Sequence, residues 1–323
     1  MAAAIIFAGF TLAKAQEKVV FGTQRSLIQM VISVGIKNGF FRQEGLDVST
    51  VFGKRGTDTI AAAIAGQIQF GFSGLPPFLA ATSKGAKLVA VGVFSHGYSG
   101  HLVASNANAG LRTLPEFRGK RIGMQRGTGV ATVFQIAIRR LGLKEDDFNI
   151  NNLRVNDMPT AMHGGSFDAV LGWEPNMSRI VALGYGVKAI APKSFEKIAG
   201  VTYVFPLFTT LEMAKQNPGV VQKFMNAFAK AQNFAHKRRP ESLRILRNSL
   251  GDVVKHLSDA ELESLAYVYQ KDRVAFTDAD MKDFDIMGAF MLQSGRLKTM
   301  PDVSVRIDNS FALKAQQVLT TGK

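Results

Sequence analysis

The chain alternates short apolar runs with longer stretches whose apolar residues recur every three or four positions. Runs of the first kind are strand-like, and the second kind gathers its apolar residues on one helix face. From residue 19 to 94 this predicts strand 19–23, helix 27–41 with Gly39 near its end, strand 46–52, and helix 57–65 stopped by Gly66. Strand 68–72, helix 76–84 and strand 88–94 follow. A second series predicts strand 121–124, helix 130–141, strand 152–155, a short helix 159–163, strand 169–172, helix 175–183 and strand 187–190. Repeated strand–helix units of this spacing imply largely parallel sheets covered on both faces. Two series imply two α/β lobes. The extended, apolar-rich segments 101–105 and 202–209 are expected to be the crossings between them. From about residue 211 the pattern turns helical, with helices over 218–236, 240–250, 278–292 and 311–319, and one opened by Ser258 with Glu261 completing a capping box.

The expected layout is a leader over residues 1–15, a first lobe from 16–105 plus 206–323, and a second lobe from 106–205. The leader reading rests on an apolar stretch running into Ala13-Lys14-Ala15, a small-x-small cleavage pattern followed by polar Gln16-Glu17-Lys18. The basic residues that usually precede such a stretch are missing, so either the start codon is placed too late and the leader is cut short, or the signal is a weak one. A first buried helix is the rival reading. No later segment reaches the run of about 18 apolar residues that a membrane span needs.

Composition narrows the chemistry. Apolar residues make up 46% of the 323, enough for a full core. Cysteine is absent, which removes disulfides, thiolate metal sites and cysteine nucleophiles. The net charge of +14 raises nucleic acid as a partner. The basic residues are dispersed, however, and the one dense run, His236-Lys237-Arg238-Arg239, lacks interleaved aromatics and suits a helix C-terminus. The expectation is no nucleic-acid partner and a field that concentrates small anions. Histidines are scattered without ligand spacing, so neither metal nor cofactor is expected.

The candidate chemistry sits where strands end. Residues 121–124 meet the turn Gly127-Thr128-Gly129, and a helix opens at about Val130 with Val133, Phe134, Ala137, Ile138 and Leu141 on one face. A glycine turn feeding a helix leaves backbone N–H groups unpaired at the positive end of the dipole, a receptor for an anionic oxygen. Gln24, Arg25, Ser73 and Gly74 end strands of the first series, and Trp173 and Glu174 end one of the second. Ligands gather at such carboxyl ends, so these tips are expected to converge across an inter-lobe crevice. Recognition is expected from backbone N–H groups and from the hydroxyls of Ser73 and Thr128. Trp173 offers an apolar wall, and Glu174 a partner for a ligand amine or hydroxyl. Lys54 and Arg55 add positive potential if they face inward. No nucleophile with an evident base appears. An enzyme would have to use Glu174 with His96 or His101.

Three stretches carry a resemblance: residues 61–92, AAAIAGQIQFGFSGLPPFLAATSKGAKLVAVG; 114–143, LPEFRGKRIGMQRGTGVATVFQIAIRRLGL; and 164–176, GGSFDAVLGWEPN. The chain resembles the nitrate/sulfonate/taurine class of ABC-importer substrate-binding proteins, a group that includes thiamine-precursor pyrimidine binders. The resemblance implies a two-lobed type II periplasmic-binding-protein fold. It further implies a small anionic organic ligand between the lobes, delivery to a membrane permease and its ATPase, a periplasmic location, and a monomer without catalysis. By position it assigns Ser73 and Gly74 to the first-lobe contact, Gly127, Thr128 and Gly129 to the second-lobe helix start, Trp173 and Glu174 to the second-lobe wall, and Gln24 and Arg25 more loosely to the loop after the first strand. An acidic Glu174 beside an anion site fits bare nitrate poorly and favours a zwitterion, a hydroxylated or aromatic organic acid, or a purely structural glutamate. The cysteine-rich motif of the pyrimidine-synthase relatives is absent. A ligand sensor for a signalling partner, and a lyase or dehydratase on the same scaffold, are the alternatives.

Overall fold

A computed structural model describes residues 16–268 and 273–321. The leader expected over 1–15 lies outside them. Ten strands are present among the described residues: β1 (Glu17–Gln24), β2 (Leu46–Gly53), β3 (Phe70–Phe72), β4 (Leu88–His96), β5 (Gly100–Ala104), β6 (Arg121–Met124), β7 (Asn149–Asn152), β8 (Ala169–Trp173), β9 (Val187–Ile190) and β10 (Val204–Thr210). They form two five-stranded sheets, ordered β2-β1-β3-β10-β4 and β7-β6-β8-β5-β9. Each is mostly parallel and flanked by helices, and the α/β two-lobed expectation holds. In each sheet one strand runs antiparallel to both of its neighbours: β10 in the first and β5 in the second.

Those two strands correct the expected crossings. The run 101–105 forms most of β5, paired from Gly100↔Trp173 to Ala104↔Ala169. The run 202–209 supplies β10, paired with β3 and β4. Both runs are apolar, and a sheet interior removes that surface from water as a solvated connection cannot. The crossings are the shorter pieces 97–99 and 200–203, which lie side by side. The N–H of Gly97 donates to the carbonyls of Thr202 (3.2 Å) and Tyr203 (2.8 Å). Strand membership therefore changes near 98 and 202, not at 105 and 206. The strand expected over 152–155 lies earlier, at β7, where pairing with β6 turns the polar sequence Asn-Ile-Asn-Asn into an edge strand against its weak intrinsic preference. A helix over Pro192–Ala199, which the pattern did not indicate, closes the second series.

The first sheet carries the larger core. Helix Pro218–Lys237 lays Phe224 and Phe228 on it, and Phe70 stacks on Phe224 and Phe72 on Phe94 at 4.1 Å between ring centroids in each case. Each such side chain contributes about 1.5–3 kcal/mol by leaving water. The outer strand β4 is covered by later chain: Val93 N–H donates to Val274 and Asp308 N–H to Ala90. Helix Asp278–Gln293 reaches from this C-terminal region to the crossing, where Asp283 accepts hydrogen bonds from the backbone and hydroxyl of Thr202, both 3.0 Å. Among the described residues no helix is long and apolar enough to cross a membrane.

Candidate functional site

The carboxyl ends of the parallel strands point at one another across the crossings, and a cavity of about 160 Å³ lies between them. Its walls come from the loop after β1, the helix starts at Gly56, Gly74 and Gly129, the tip of β8, and both crossings. Of the residues singled out in the sequence, Gln24, Gly74, Gly127, Thr128, Gly129, Trp173 and Glu174 line it, as does Arg55.

Arg25 and Ser73 do not. Arg25 is exposed, its guanidinium 5.3 Å from the centre of the Phe52 ring, and lines a separate pocket shared with Lys54 and Arg179. A solvated guanidinium stacked on an aromatic at the rim gains water and a π-face together. Ser73 is fully buried, and its hydroxyl donates to the Gly74 carbonyl at 3.1 Å. The strand-end signal located both residues on the correct side of the sheet. It does not fix which side chain turns inward.

Two further expectations change. The Thr128 hydroxyl donates to the Gln125 carbonyl (2.8 Å) and accepts from Ala131 N–H (3.3 Å), so it caps helix Gly129–Arg140 and has no proton to offer a ligand. Glu174 is 2% exposed. Its carboxylate accepts from Ser178 N–H (3.0 Å) and pairs with Lys188 Nζ at 3.0 Å and His101 Nε2 at 3.3 Å. A buried carboxylate needs such partners, and they hold this one in place at the edge of the cavity. Burial pushes the His101 imidazole down to about 4, so it is neutral near pH 7. His96, the other histidine considered, lies 3.2 Å from Asp280, away from the cavity.

Backbone donors remain. The first N–H groups of helix Gly129–Arg140 have no intrahelical acceptor, and Gly129 and Val130 both face the cavity. The helix Gly56–Ile64 starts there too, with Gly56 and Thr57 in the wall. Ser26, at the start of the helical segment after β1, makes no side-chain cap and also lines the cavity. The charged groups of the wall are partnered: Arg55 with Asp58 (3.2 Å) and Arg126 with Glu145 (2.5 Å). Among the described residues no group of three His or carboxylate side chains is placed to hold a metal.

Tyr203 is the residue that sequence reasoning missed. It lies on the second crossing, is 3% exposed, and has φ +56°, a left-handed conformation that costs a non-glycine residue about 1 kcal/mol or more. Asp283 and Gly97 hold it there through backbone hydrogen bonds. Its hydroxyl accepts from Leu75 N–H and touches both Gly74 and Gly129, where a Cβ would collide with it. One phenol thus spans the helix starts of both lobes. Burial raises its pKa far above the ordinary phenol value, so it stays protonated. The only hint in the sequence was a pair of glycines at helix starts. Nothing local names what fills the space they leave.

Comparison with known proteins agrees with this architecture. The NMT1/THI5-like family profile matches residues 29–242. The chain belongs to the NMT1/THI5-like family. A Bacillus subtilis (strain 168) protein named for aliphatic sulfonate binding is 22% identical over 311 residues, 96% of this chain and 91% of that one. A Brucella abortus (strain 2308) protein named only as a binding protein is 24% identical over 67% of this chain, and the match spans 66% of that relative's length. Among solved structures, the alkanesulfonate-binding protein SsuA from Xanthomonas axonopodis pv. citri, bound to MOPS, superposes with a TM-score of 0.74 at 19% identity, covering 92% of this chain and 99% of that one. The periplasmic nitrate-binding protein NrtA from Synechocystis PCC 6803 gives 0.74 at 13% identity, covering 94% and 89%. The desulfurization enzyme DSZB shares the fold at 0.68 and 13% identity, covering 95% and 100%. The same fold therefore serves both binding proteins and an enzyme.

Proposed function

We propose that this protein is the extracytoplasmic solute-binding component of an ABC importer. It holds a small organic anion, sulfonate-like or carboxylate-like, between its lobes and delivers it to a permease and ATPase in the membrane. The observation that carries the reading is the inter-lobe cavity, onto which the unpaired N–H groups at the start of helix Gly129–Arg140 open. A helix start with free N–H groups stabilises an anionic oxygen without a counter-charge of its own. Gln24, Ser26, Gly127, Gly129, Trp173 and Tyr203 form the contact set; Thr128 and Glu174 support it from behind. The family and the names of its relatives favour transport, a periplasmic location and a leader over residues 1–15.

An enzyme on this scaffold is the rival that a specific observation favours, because His101 and Glu174 do come together. Lys188 and the Ser178 N–H occupy that carboxylate, however, and His101 does not line the cavity. Binding without turnover is the stronger reading. Thermal-shift screening and calorimetry of sulfonates, carboxylates, nitrate and pyrimidines test it, since a ligand that binds only the folded state raises Tm. Micromolar binding of an organic anion that is recovered unchanged supports the proposal. Binding of pyrimidines alone, or conversion of the ligand that is lost in Glu174→Gln, overturns it.

A further inference from the structure

The cavity wall is ringed by aromatics. Tyr98, Tyr203, Phe205 and Phe72 follow one another edge to face, with centroids 6.1, 4.8 and 6.3 Å apart. Trp173, from the tip of β8 in the other lobe, also lines the cavity. It is half-buried, and among the described residues no ring pairs with it. Trp173 packs against buried core side chains and offers the cavity an aromatic surface against which a ligand ring can lie, and aromatic rings gain beyond simple burial when a second ring lies against them. The cavity, about 160 Å³, is close to the roughly 150 Å³ that accommodates benzene in an engineered protein core. The one carboxylate in the wall, Glu174, is already paired with Lys188 and hydrogen-bonded by Ser178.

We infer that the ligand is an aromatic organic acid: a planar ring that lies against Trp173, with an anionic group at the start of helix Gly129–Arg140. This rests on the reading that the cavity takes an organic anion, and it narrows that class. A cyclohexane ring fills the same volume without a π-face.

The test compares benzenesulfonate, cyclohexanesulfonate and taurine on the full chain by calorimetry. The fluorescence of the single tryptophan is followed in parallel, since Trp173 is the only one in the sequence. Benzenesulfonate should bind about fivefold tighter than cyclohexanesulfonate and change the Trp173 emission, and taurine should bind at least about tenfold more weakly than benzenesulfonate. Trp173→Phe should keep the preference for the aromatic ring and Trp173→Leu should abolish it. Equal or tighter binding of cyclohexanesulfonate or taurine would overturn the aromatic assignment while leaving an organic-anion site intact. Failure of every organic acid in the wider screen would remove the site itself, and this inference with it. Should Trp173→Leu fail to fold, the wild-type ligand series still decides the question.

Discussion

The helix starts at Gly74 and Gly129 read alike in the sequence. Each follows a strand in a parallel lobe, each begins with glycine, and each was assigned to ligand contact. Their chemistry in the fold is opposite. At Gly74 the Leu75 N–H is taken by the Tyr203 hydroxyl, and Pro76 and Pro77 supply no N–H at all, so that start has little left to donate. At Gly129 the first-turn N–H groups remain, because Thr128 caps only Ala131. A helix start becomes an anion receptor when its donors are left over. Prolines, a capping hydroxyl and a neighbouring phenol decide how many are.

That contrast can be broken at several points. The largest effect is expected at Gly129→Ala, whose Cβ would overlap the buried Tyr203 ring and hydroxyl. Overpacking of a rigid site costs about 3 kcal/mol, and ligand binding should vanish. Adding Tyr203→Phe should recover part of the stability, and calorimetric and denaturant measurements on the double-mutant cycle check this. Additive losses would mean that the two groups do not meet.

Next in size is a pH effect at Asp283, which holds the Tyr203 crossing. Burial, with Asp280 nearby, pushes its carboxyl up to about 6 despite the hydrogen bonds from Thr202 and Tyr203. A folded pKa above the ordinary 3.8 means that the native state binds more protons between about pH 4 and 6. Its contribution is full below pH 4 and is lost as pH rises through 6, by up to about 3 kcal/mol. Denaturant midpoints of the wild type and Asp283→Asn should therefore differ in slope across that window, with the Asn variant relatively more stable at pH 7. Parallel curves would refute the shift.

Thr128→Ala should lower stability by about 1 kcal/mol through loss of the cap. Its effect on affinity should be smaller, because the hydroxyl makes no ligand bond; a large loss of affinity at unchanged Tm would restore the direct contact. Smallest is Ser73→Ala. It removes one local hydrogen bond to Gly74 and should change stability by about 0.5–1 kcal/mol, with calorimetric affinity unchanged.

Much of the architecture was legible from pattern alone. Strands β6 and β9 fall at the expected residues, and helix Gly129–Arg140 buries Val130, Val133, Phe134, Ala137 and Ile138 as its periodicity requires. Leu141 departs from that face and is exposed beyond the helix end. The capping box at Ser258 and Glu261 forms as read. The segments 101–105 and 202–209 were recognised as extended and apolar, but their partners lie far away in sequence: β5 pairs with β8 and β9, and β10 with β3 and β4. A pattern of period two reports that a run is strand-like and is silent on which sheet receives it.

The site divides in the same way. Residue types at strand tips marked Gln24, Gly127, Gly129 and Trp173, because parallel α/β lobes place such tips around a crevice whatever else they do. Glu174, Thr128 and Ser73 are equally conspicuous in the sequence, yet their polar atoms are taken by neighbours, two of them non-local in the case of Glu174: His101 on β5 and Lys188 on β9. Tyr203 carried no motif. Local sequence thus determined the elements, their order and the presence of glycine-opened helices, since those follow from short-range sterics and hydrophobic spacing. Tertiary structure alone decided which strands change sheets, which polar groups are left over for a ligand, and which phenol fills the gap between the lobes, since each depends on contacts between residues far apart in the chain.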